Sequence, residues 1–445
     1  MGISTFSKKN IIQIAIPIMV GNLAQTIITF VDTAFLGHLG RVELGAAMMA
    51  GLYYYVFSTL AWGFAVGIQI IVARRFGEGN YHEIGAVFKH GLLVVLALAL
   101  LLFLPLHFFT DTLLGYIISS PDIRAVAMQF MDYRHFGIIF VCFNYLFRSF
   151  YVGLSNTKVI TYTTALMAVV NIFFDYCLIF GHCGFPKLGV QGAAIASVMA
   201  ECSALLLFVF YTIFRIPTRQ YAIFPLQKCR LPLIKSIVTL SLPTMGQRFV
   251  SFGTWFLFFV MIEQTGELPI AVSGIVRSVY MLILVPVFAF GATANTLTSR
   301  VLGEGAPENV RPLIRKITRM SLAFISVLVL VCMAIPEKLA LIYTDDVTLA
   351  HAAVPSLFVI CIGALMQCWA VTLFEALSGT GRTLVAFLLE TSVLVAYVTY
   401  IWLSTQVLQL PIEGVWCAEI IYCLLLGIAC QLYMKYGKWQ AVKVG

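Results

Sequence analysis

Charged residues are scarce along this chain. Asp, Glu, Lys and Arg make up 11% of its 445 residues, and hydrophobic residues make up 61%. A soluble domain carries about 25% charged and about 45–50% apolar residues, so this chain has too little charge to be solvated on all sides. Its apolar runs approach the ~20 residues with which a helix crosses a hydrocarbon layer. The composition therefore predicts an all-α polytopic membrane protein.

Motifs of common enzyme classes are missing as well. The sequence contains no His-Glu-x-x-His, no Gly-x-x-x-x-Gly-Lys-Ser/Thr and no Gly-x-Ser-x-Gly, the signatures of metalloproteases, P-loop nucleotidases and serine hydrolases. The 11 cysteines form no Cys-x-x-Cys pair, and most lie in apolar runs as small core residues do. We therefore expect no enzymatic activity, no disulfide framework and no cofactor. Without an ATP site, energy for transport would come from an ion gradient or a partner.

Twelve apolar segments are long enough to span the membrane. The first continues to about Asp32, which is too long for the hydrophobic region of a cleavable signal peptide. The predicted spans are residues 11–35, 45–72, 84–109, 124–151, 159–181, 190–214, 235–262, 270–298, 317–343, 351–377, 384–407 and 412–434.

Basic residues indicate how the chain is oriented. Lys and Arg concentrate in the cytoplasmic loops of membrane proteins. With the N-terminus in the cytoplasm, most of the 28 Lys and Arg residues fall in inner loops, and Arg134 is one of the few assigned to the outer side. The net charge of +8 is then an orientation signal and not a surface for nucleic acid. Both termini are predicted to be cytoplasmic.

The sequence repeats itself after 226 residues. IAIPIMVGNLAQ (14–25) aligns with LSLPTMGQRFVS (240–251), and ARRFGEGN (73–80) aligns with SRVLGEGA (299–306). Two later segments align in the same order, so we infer a duplicated six-helix unit. Because six is even, both copies enter the membrane from the same side, with a substrate path between them.

The repeat predicts two pseudo-symmetric six-helix lobes around a central cleft, which is the architecture of an alternating-access transporter. The predicted parts are an N-terminal lobe at 1–214, a cytoplasmic inter-lobe loop at 215–234 and a C-terminal lobe with a short cytoplasmic tail at 235–445.

Two aspartates stand out within the spans, because a charge at the bilayer centre costs at least about 2.5–3.5 kcal/mol. Asp32 lies late in the first span and Asp175 in the fifth, with Asn171 one turn earlier on the same helix face. Burial disfavours the charged form of a carboxyl, so such a group can take up and release a proton. Two carboxylates with amide oxygens could instead hold sodium, and either Asp could merely bond locally. We predict that they bind the coupling ion.

Other residues in the spans are candidates of a different kind. Arg248 and Glu390 lie on spans 7 and 11, the repeat mates of spans 1 and 5, so we predict either a buried ion pair or contact with substrate. Glu201 in span 6 has no obvious partner. Pro17 and Pro243 occupy equivalent places in spans 1 and 7, where proline can bend a helix or provide a hinge.

Together these features resemble the multidrug and toxic compound extrusion family along nearly the whole chain. The resemblance rests on the twelve spans in two lobes, on PIMVGNLAQTIITFVDTAFLGHLG (17–40), and on the Gly-Glu-Gly segments after spans 2 and 8. Asn171-x-x-x-Asp175, which precedes residues 189–197, adds to it. The family resemblance implies antiport, in which a proton or sodium ion enters as an organic, often cationic, molecule leaves.

The resemblance also implies the members of the cation site. In many bacterial members an Asp of helix 1 and an Asn-x-x-x-Asp of helix 5 form it, and these match Asp32, Asn171 and Asp175. Asn144 and Ser197 are the nearest matches to a contributing helix-4 Asn and helix-6 hydroxyl. The only metal implied is a sodium ion at the three matching residues, as the alternative to a proton.

One departure from the family affects the second lobe. Some sodium-coupled members carry acids in helices 7 and 10, where this chain has Ser251 and Gln367. We therefore expect coupling to depend on the first lobe.

Three other functions compete with multidrug efflux. A lipid-linked oligosaccharide flippase of the same superfamily would usually have a more cationic cavity than Arg248 alone provides. A membrane prenyl transferase would need an acidic cluster, and the only Asp pair, Asp345-Asp346, lies in a predicted outer loop. A scaffold would leave Asp32 and Asp175 unexplained. We expect small organic substrates, no nucleic-acid partner, a monomer, and a bacterial inner-membrane location.

Overall fold

The computed structural model describes residues 7–118, 120–224 and 228–440, and the regular secondary structure within them is helical, with no β-strand. The predicted all-α class is confirmed. The predicted cytoplasmic tail lies partly outside these residues. The α-helices are α1 (Lys8–Leu39), α2 (Arg41–Gly77), α3 (Tyr81–Phe108), α4 (Thr110–Ile117), α5 (Pro121–Arg134), α6 (Gly137–Gly153), α7 (Lys158–Phe180), α8 (Val190–Arg215), α9 (Leu231–Glu263), α10 (Glu267–Gly303), α11 (Val310–Ala334), α12 (Pro336–Ala340), α13 (Val347–Gly379), α14 (Thr383–Trp402) and α15 (Ile412–Tyr436).

Most of these helices are membrane-spanning in length and composition. In the described parts of the chain, 11 helices qualify, or 12 if α5 and α6 form one bent span. The fourth predicted span, 124–151, is therefore not one continuous helix. It breaks between Arg134 and Gly137, and the two pieces are bent by 54°.

The Gly-Glu-Gly segments of the sequence repeat form the same turn twice. α2 ends at Gly77 and α10 at Gly303, and the second glycine of each segment has a left-handed φ, 72° at Gly79 and 74° at Gly305. Only glycine adopts this conformation without a steric penalty. Glu78 pairs with Arg75 at 2.7 Å. The motif is thus a helix-ending turn at both places.

The helices pack into two compact units. One contains Val20–Met245 and the other contains the described residues on either side of that range. Both boundaries lie inside a helix, α1 or α9, two residues beyond Pro17 and Pro243 respectively. These limits differ from the predicted boundary at 215–234, because packing contacts define them, whereas the prediction followed the sequence repeat.

Close helix packing inside the Val20–Met245 unit depends on two glycines of α2. Thr244 of α9 donates a hydrogen bond from Oγ1 to the Gly63 carbonyl at 2.7 Å. A Cβ at Gly63 would lie 2.7 Å from Met245 Cα, and one at Gly67 would lie 2.9 Å from Ser241 Cα. Small residues four apart let membrane helices approach closely, so this Gly-x-x-x-Gly face fixes the start of α9 against α2.

We expect Gly67→Val to destabilise the protein by about 1–3 kcal/mol, the usual cost of overpacking. The obstructing atoms at Gly67 include the backbone N and Cα of Ser241, so a rotamer change cannot relieve the clash. The measurement is thermal unfolding of the purified protein in detergent. Gly51→Val is the matched control on the same helix, since nothing lies within 4 Å of a Cβ there. Equal melting temperatures for the two variants would contradict this account of the packing.

Candidate functional site

The predicted acid pair does come together. Asp32 of α1 adjoins both Asp175 and Asn171, one turn apart on α7. Asp175 is 0% exposed and Asn171 1% exposed. Five buried polar atoms of these three side chains have no hydrogen-bond partner among the described residues. They are both carboxylate oxygens of Asp175, both polar atoms of the Asn171 amide and Oδ1 of Asp32. The site therefore contains buried oxygens that lack donors.

Such a cluster needs a positive charge. Ionised carboxylates only accept hydrogen bonds, and two that share a site cannot both stay charged cheaply. A single proton placed between Asp32 and Asp175 would supply the missing donor and remove the repulsion. Carboxylate and amide oxygens also suit a hard cation such as sodium. The residues present fit either ion, and if a proton binds, it belongs to the pair and not to one aspartate.

The two further residues implied by the family resemblance are placed differently. Asn144 on α6 donates a hydrogen bond from its side-chain amide to the main-chain carbonyl of Glu201 on α8 at 2.9 Å. Its own Oδ1 is buried and has no donor in the described parts of the chain. Ser197 is half-buried on α8, one turn before Glu201. Asn144 thus ties α6 to α8 and keeps a free acceptor.

Glu201 has the partner that sequence reasoning missed. Its carboxylate forms a two-pronged ion pair with Arg134, at 2.9 Å to Nη1 and 2.6 Å to Nη2. Each side chain is only 12% exposed. Arg134 lies inside the predicted span 124–151 and is buried against Glu201, and its assignment to the outer side stays a prediction. The guanidinium also lies 3.8 Å from the centre of the Tyr54 ring, a cation–π contact.

This ion pair lies at the break between α5 and α6. Arg134 is the last residue of α5, and a Cβ on Gly137, the first residue of α6, would collide with both Arg134 and Glu201. The missing side chain of Gly137 is what makes room for the pair. The positive charge of Arg134 also acts on Asp32, so the pair belongs to the electrostatic surroundings of the acid site.

Arg248 has a different partner from the one predicted. Its Nη2 lies 3.1 Å from Glu375 Oε1, and Asn295 donates to the other Glu375 oxygen at 3.2 Å. The predicted pairing with Glu390 is wrong, because α13 brings Glu375 to the α9 face that carries Arg248. Glu375 lies in the predicted span 351–377 but was not among the charged residues predicted to have a role.

Glu390 is held by hydroxyl groups. Its Oε1 lies 2.8 Å from Ser251 Oγ and 2.9 Å from the Tyr422 hydroxyl, and the residue is 4% exposed. Glu419, which sequence reasoning also missed, accepts from Tyr397 at 2.8 Å and from Tyr280 at 3.3 Å. Both glutamates are buried in the unit that lies outside Val20–Met245.

A family model described as MatE matches the chain twice, at residues 17–177 and 243–403. The chain belongs to the MatE family. The matched ranges are displaced by the 226 residues of the repeat, and the first contains Asp32, Asn171 and Asp175. The predicted family membership is confirmed.

Relatives and solved structures agree with the MatE assignment. The chain is 26% identical over 97% of its length to a Thermotoga maritima protein named "Probable multidrug resistance protein NorM", of which it covers 93%. An Agrobacterium fabrum protein of the same name is 29% identical over 48% of this chain and 46% of its own length.

The fold matches that of solved MATE transporters. An outward-facing multidrug resistance MATE family transporter of the MOP superfamily aligns with a TM-score of 0.88 and 20% identity, over 96% of this chain and 95% of that one. The eukaryotic MATE transporter AtDTX14 aligns with a TM-score of 0.85 and 14% identity, over 97% and 96%.

We expect Arg134→Met or Glu201→Met alone to destabilise this MatE chain by about 3–5 kcal/mol, because each leaves an uncompensated buried charge. The double replacement should be milder than either. Thermal unfolding in detergent measures all three, and additive losses would contradict the pairing. The exposed Arg124–Asp111 pair, at 2.7 Å, is the control, and its removal should change stability by no more than about 1 kcal/mol.

Proposed function

We propose that this MatE-family chain exports organic, often cationic, compounds in exchange for protons or sodium ions by alternating access. The observation that carries the proposal is the pair of half-buried Asp32 and buried Asp175, in which three carboxylate oxygens lack a hydrogen-bond donor among the described residues. The multidrug resistance name of the NorM relatives supports the substrate class. Such an exchanger needs a site that is stable with the ion bound and costly without it, which this pair supplies.

The chain's own residues suggest how ion binding changes the protein. When the ion leaves, Asp32 and Asp175 repel each other, and Asp32 attracts the nearby charge of Arg134. This gives the ion-bound and ion-free states different preferred arrangements of α1 and α7, and a ligand shifts an equilibrium only through such a difference. Pro17 and Pro243, two residues from the unit boundaries, are the proposed hinges.

A flippase for a lipid-linked oligosaccharide is less well supported. An anionic lipid carrier needs positive charge that is not already neutralised. Arg134 and Arg248 are paired with Glu201 and Glu375, so these two arginines contribute little net charge. The multidrug name of the relatives also favours efflux.

The substrates are small molecules and the protein lies within the membrane. We further propose a bacterial inner-membrane location, a monomer, and cytoplasmic N- and C-termini. The orientation proposal rests on the concentration of Lys and Arg in alternate loops.

The central experiment is ethidium efflux from proteoliposomes under an imposed proton gradient or an imposed sodium gradient. We expect one gradient to drive efflux and Asp32→Asn to abolish it, because an amide cannot bind the ion as a carboxylate does. Asp345→Asn, an exposed acid, is the matched control and should keep full activity. Gradient-driven efflux that survives in Asp32→Asn would place the coupling site elsewhere, and no efflux of any cationic dye would favour the flippase.

Two native cysteines test the orientation. Cys183 and Cys229 are both exposed, and lie in a predicted outer loop and in the predicted inner inter-lobe loop respectively. A membrane-impermeant maleimide applied to intact cells should label Cys183 and spare Cys229, as judged by labelling of Cys183→Ser and Cys229→Ser variants. Labelling of Cys229 alone would reverse the orientation.

A further inference from the structure

One buried carboxyl outside the Asp32–Asp175 pair has an incomplete set of hydrogen bonds. Glu390 of α14 is 4% exposed and faces α9 and α15. One oxygen, Oε1, makes both of its close contacts, with Ser251 and Tyr422. The other oxygen, Oε2, is buried and has no hydrogen-bond partner among the described residues. The Gln247 side chain adjoins the carboxyl without bonding to Oε2.

If the Glu390 carboxyl is ionised, the surrounding hydroxyl groups have too few hydrogens to form all of the observed short contacts. Ser251 Oγ lies 2.8 Å from Glu390 Oε1 and also 2.8 Å from the main-chain carbonyl oxygen of Gln247. If Glu390 is ionised, its Oε1 and the Gln247 carbonyl oxygen can both only accept a hydrogen bond. A hydroxyl has one hydrogen to donate, so it can satisfy only one of them. Tyr422 donates its own single hydrogen to Oε1.

A proton on Oε1 completes the chain. Glu390 then donates to Ser251, Ser251 donates to the Gln247 carbonyl, and Tyr422 donates to Glu390. Each of these three short oxygen–oxygen contacts is then a hydrogen bond with one donor and one acceptor. The unpartnered Oε2 becomes a neutral carbonyl oxygen, and a neutral acceptor left unsatisfied is far less costly than a charged one.

Glu419 shows the opposite arrangement in the same unit. Each of its two oxygens accepts from a different tyrosine, Oε1 from Tyr397 and Oε2 from Tyr280. Neither oxygen is left without a donor, so the hydrogen-bond count makes no demand for a proton there. The difference lies in the partners, since both glutamates are similarly buried, at 4% and 6% exposed.

We propose that Glu390 is a proton-binding site of this chain, separate from the Asp32–Asp175 pair, in which Ser251 and Tyr422 hold the protonated acid. The 226-residue repeat puts the position equivalent to Asp175 at residue 401, which is 11 residues after Glu390 and roughly 16 Å further along a helix. The site is therefore not a copy of the Asp32–Asp175 pair. Its proton comes from water and returns to water when the contacts with Ser251 and Tyr422 open.

The other ionisable side chains that bear on Glu390 come from two helices. Arg248 on α9 acts on it and is itself paired with Glu375 of α13. Tyr422 and Cys430 lie on α15. None of the three carboxyl partners, Ser251, Gln247 and Tyr422, carries a positive charge. If the chain exchanges protons, which is one of the two alternatives proposed above, Glu390 adds one proton to those that the acid pair exchanges, and this consequence rests on the proposed function.

Infrared spectroscopy of the purified protein in lipid nanodiscs tests the site without any transport. At neutral pH, the wild-type spectrum minus that of Glu390→Gln should contain the carbonyl band of one protonated carboxylic acid. Ser251→Ala should shift this band without removing it, because the acid loses a hydrogen-bond acceptor. Glu419→Gln is the matched control for a buried glutamate and should leave the Glu390 band unchanged.

The outcomes separate the site from the proposed exchange. A difference spectrum without a protonated-acid band, or with a carboxylate band in its place, would overturn the proposal. If Glu390→Gln does not fold, the Ser251→Ala shift decides in its place, and an unchanged band would overturn the proposal. Because no gradient or dye is used, this result can be negative while ion-driven efflux is retained, or positive while efflux fails.

Discussion

The cost of leaving a charge unneutralised away from water governs the polar interior of this protein. The buried acids meet this cost in different ways. Glu201 and Glu375 are paired with arginines at 2.6 and 3.1 Å, and Glu419 accepts from two tyrosines. Asp32 and Asp175 adjoin each other and Asn171, and three of their carboxylate oxygens have no hydrogen-bond donor among the described residues. The acids that are already satisfied can be structural, whereas those that need an added positive charge are suited to binding an ion.

The backbone obeys the same constraint. Helices satisfy their own N–H and C=O groups, so an irregular segment at membrane depth requires support from neighbouring protein. At the break between α5 and α6, His135 N bonds to the Met131 carbonyl and Ile138 N bonds to the His135 carbonyl, both at 3.3 Å. Gly137 leaves space for the Arg134–Glu201 pair. The bend is thus held by backbone bonds and by a buried ion pair together.

The duplication preserves backbone features more faithfully than chemistry. Both copies of the Gly-Glu-Gly turn keep a left-handed glycine, and Pro17 and Pro243 both lie inside a helix close to a unit boundary. The acids do not correspond in this way, since Glu390 is not at the position equivalent to Asp175. A turn needs a particular backbone conformation, which few residues provide, whereas a buried carboxyl only needs suitable neighbours within reach.

The sequence alone determined the fold class, the family, the number of spans and the meeting of Asp32, Asn171 and Asp175. Hydropathy, helix periodicity and an ordered repeat are local or regularly spaced signals, and the acid pair follows from a family motif. Tertiary structure alone decided which buried charges are partners. Arg134 meets Glu201 across 67 residues and Arg248 meets Glu375 across 127, and no local pattern encodes which faces of distant helices pack together. The break in the fourth span was hidden for the same reason, because it depends on a glycine that makes room for a side chain from another helix.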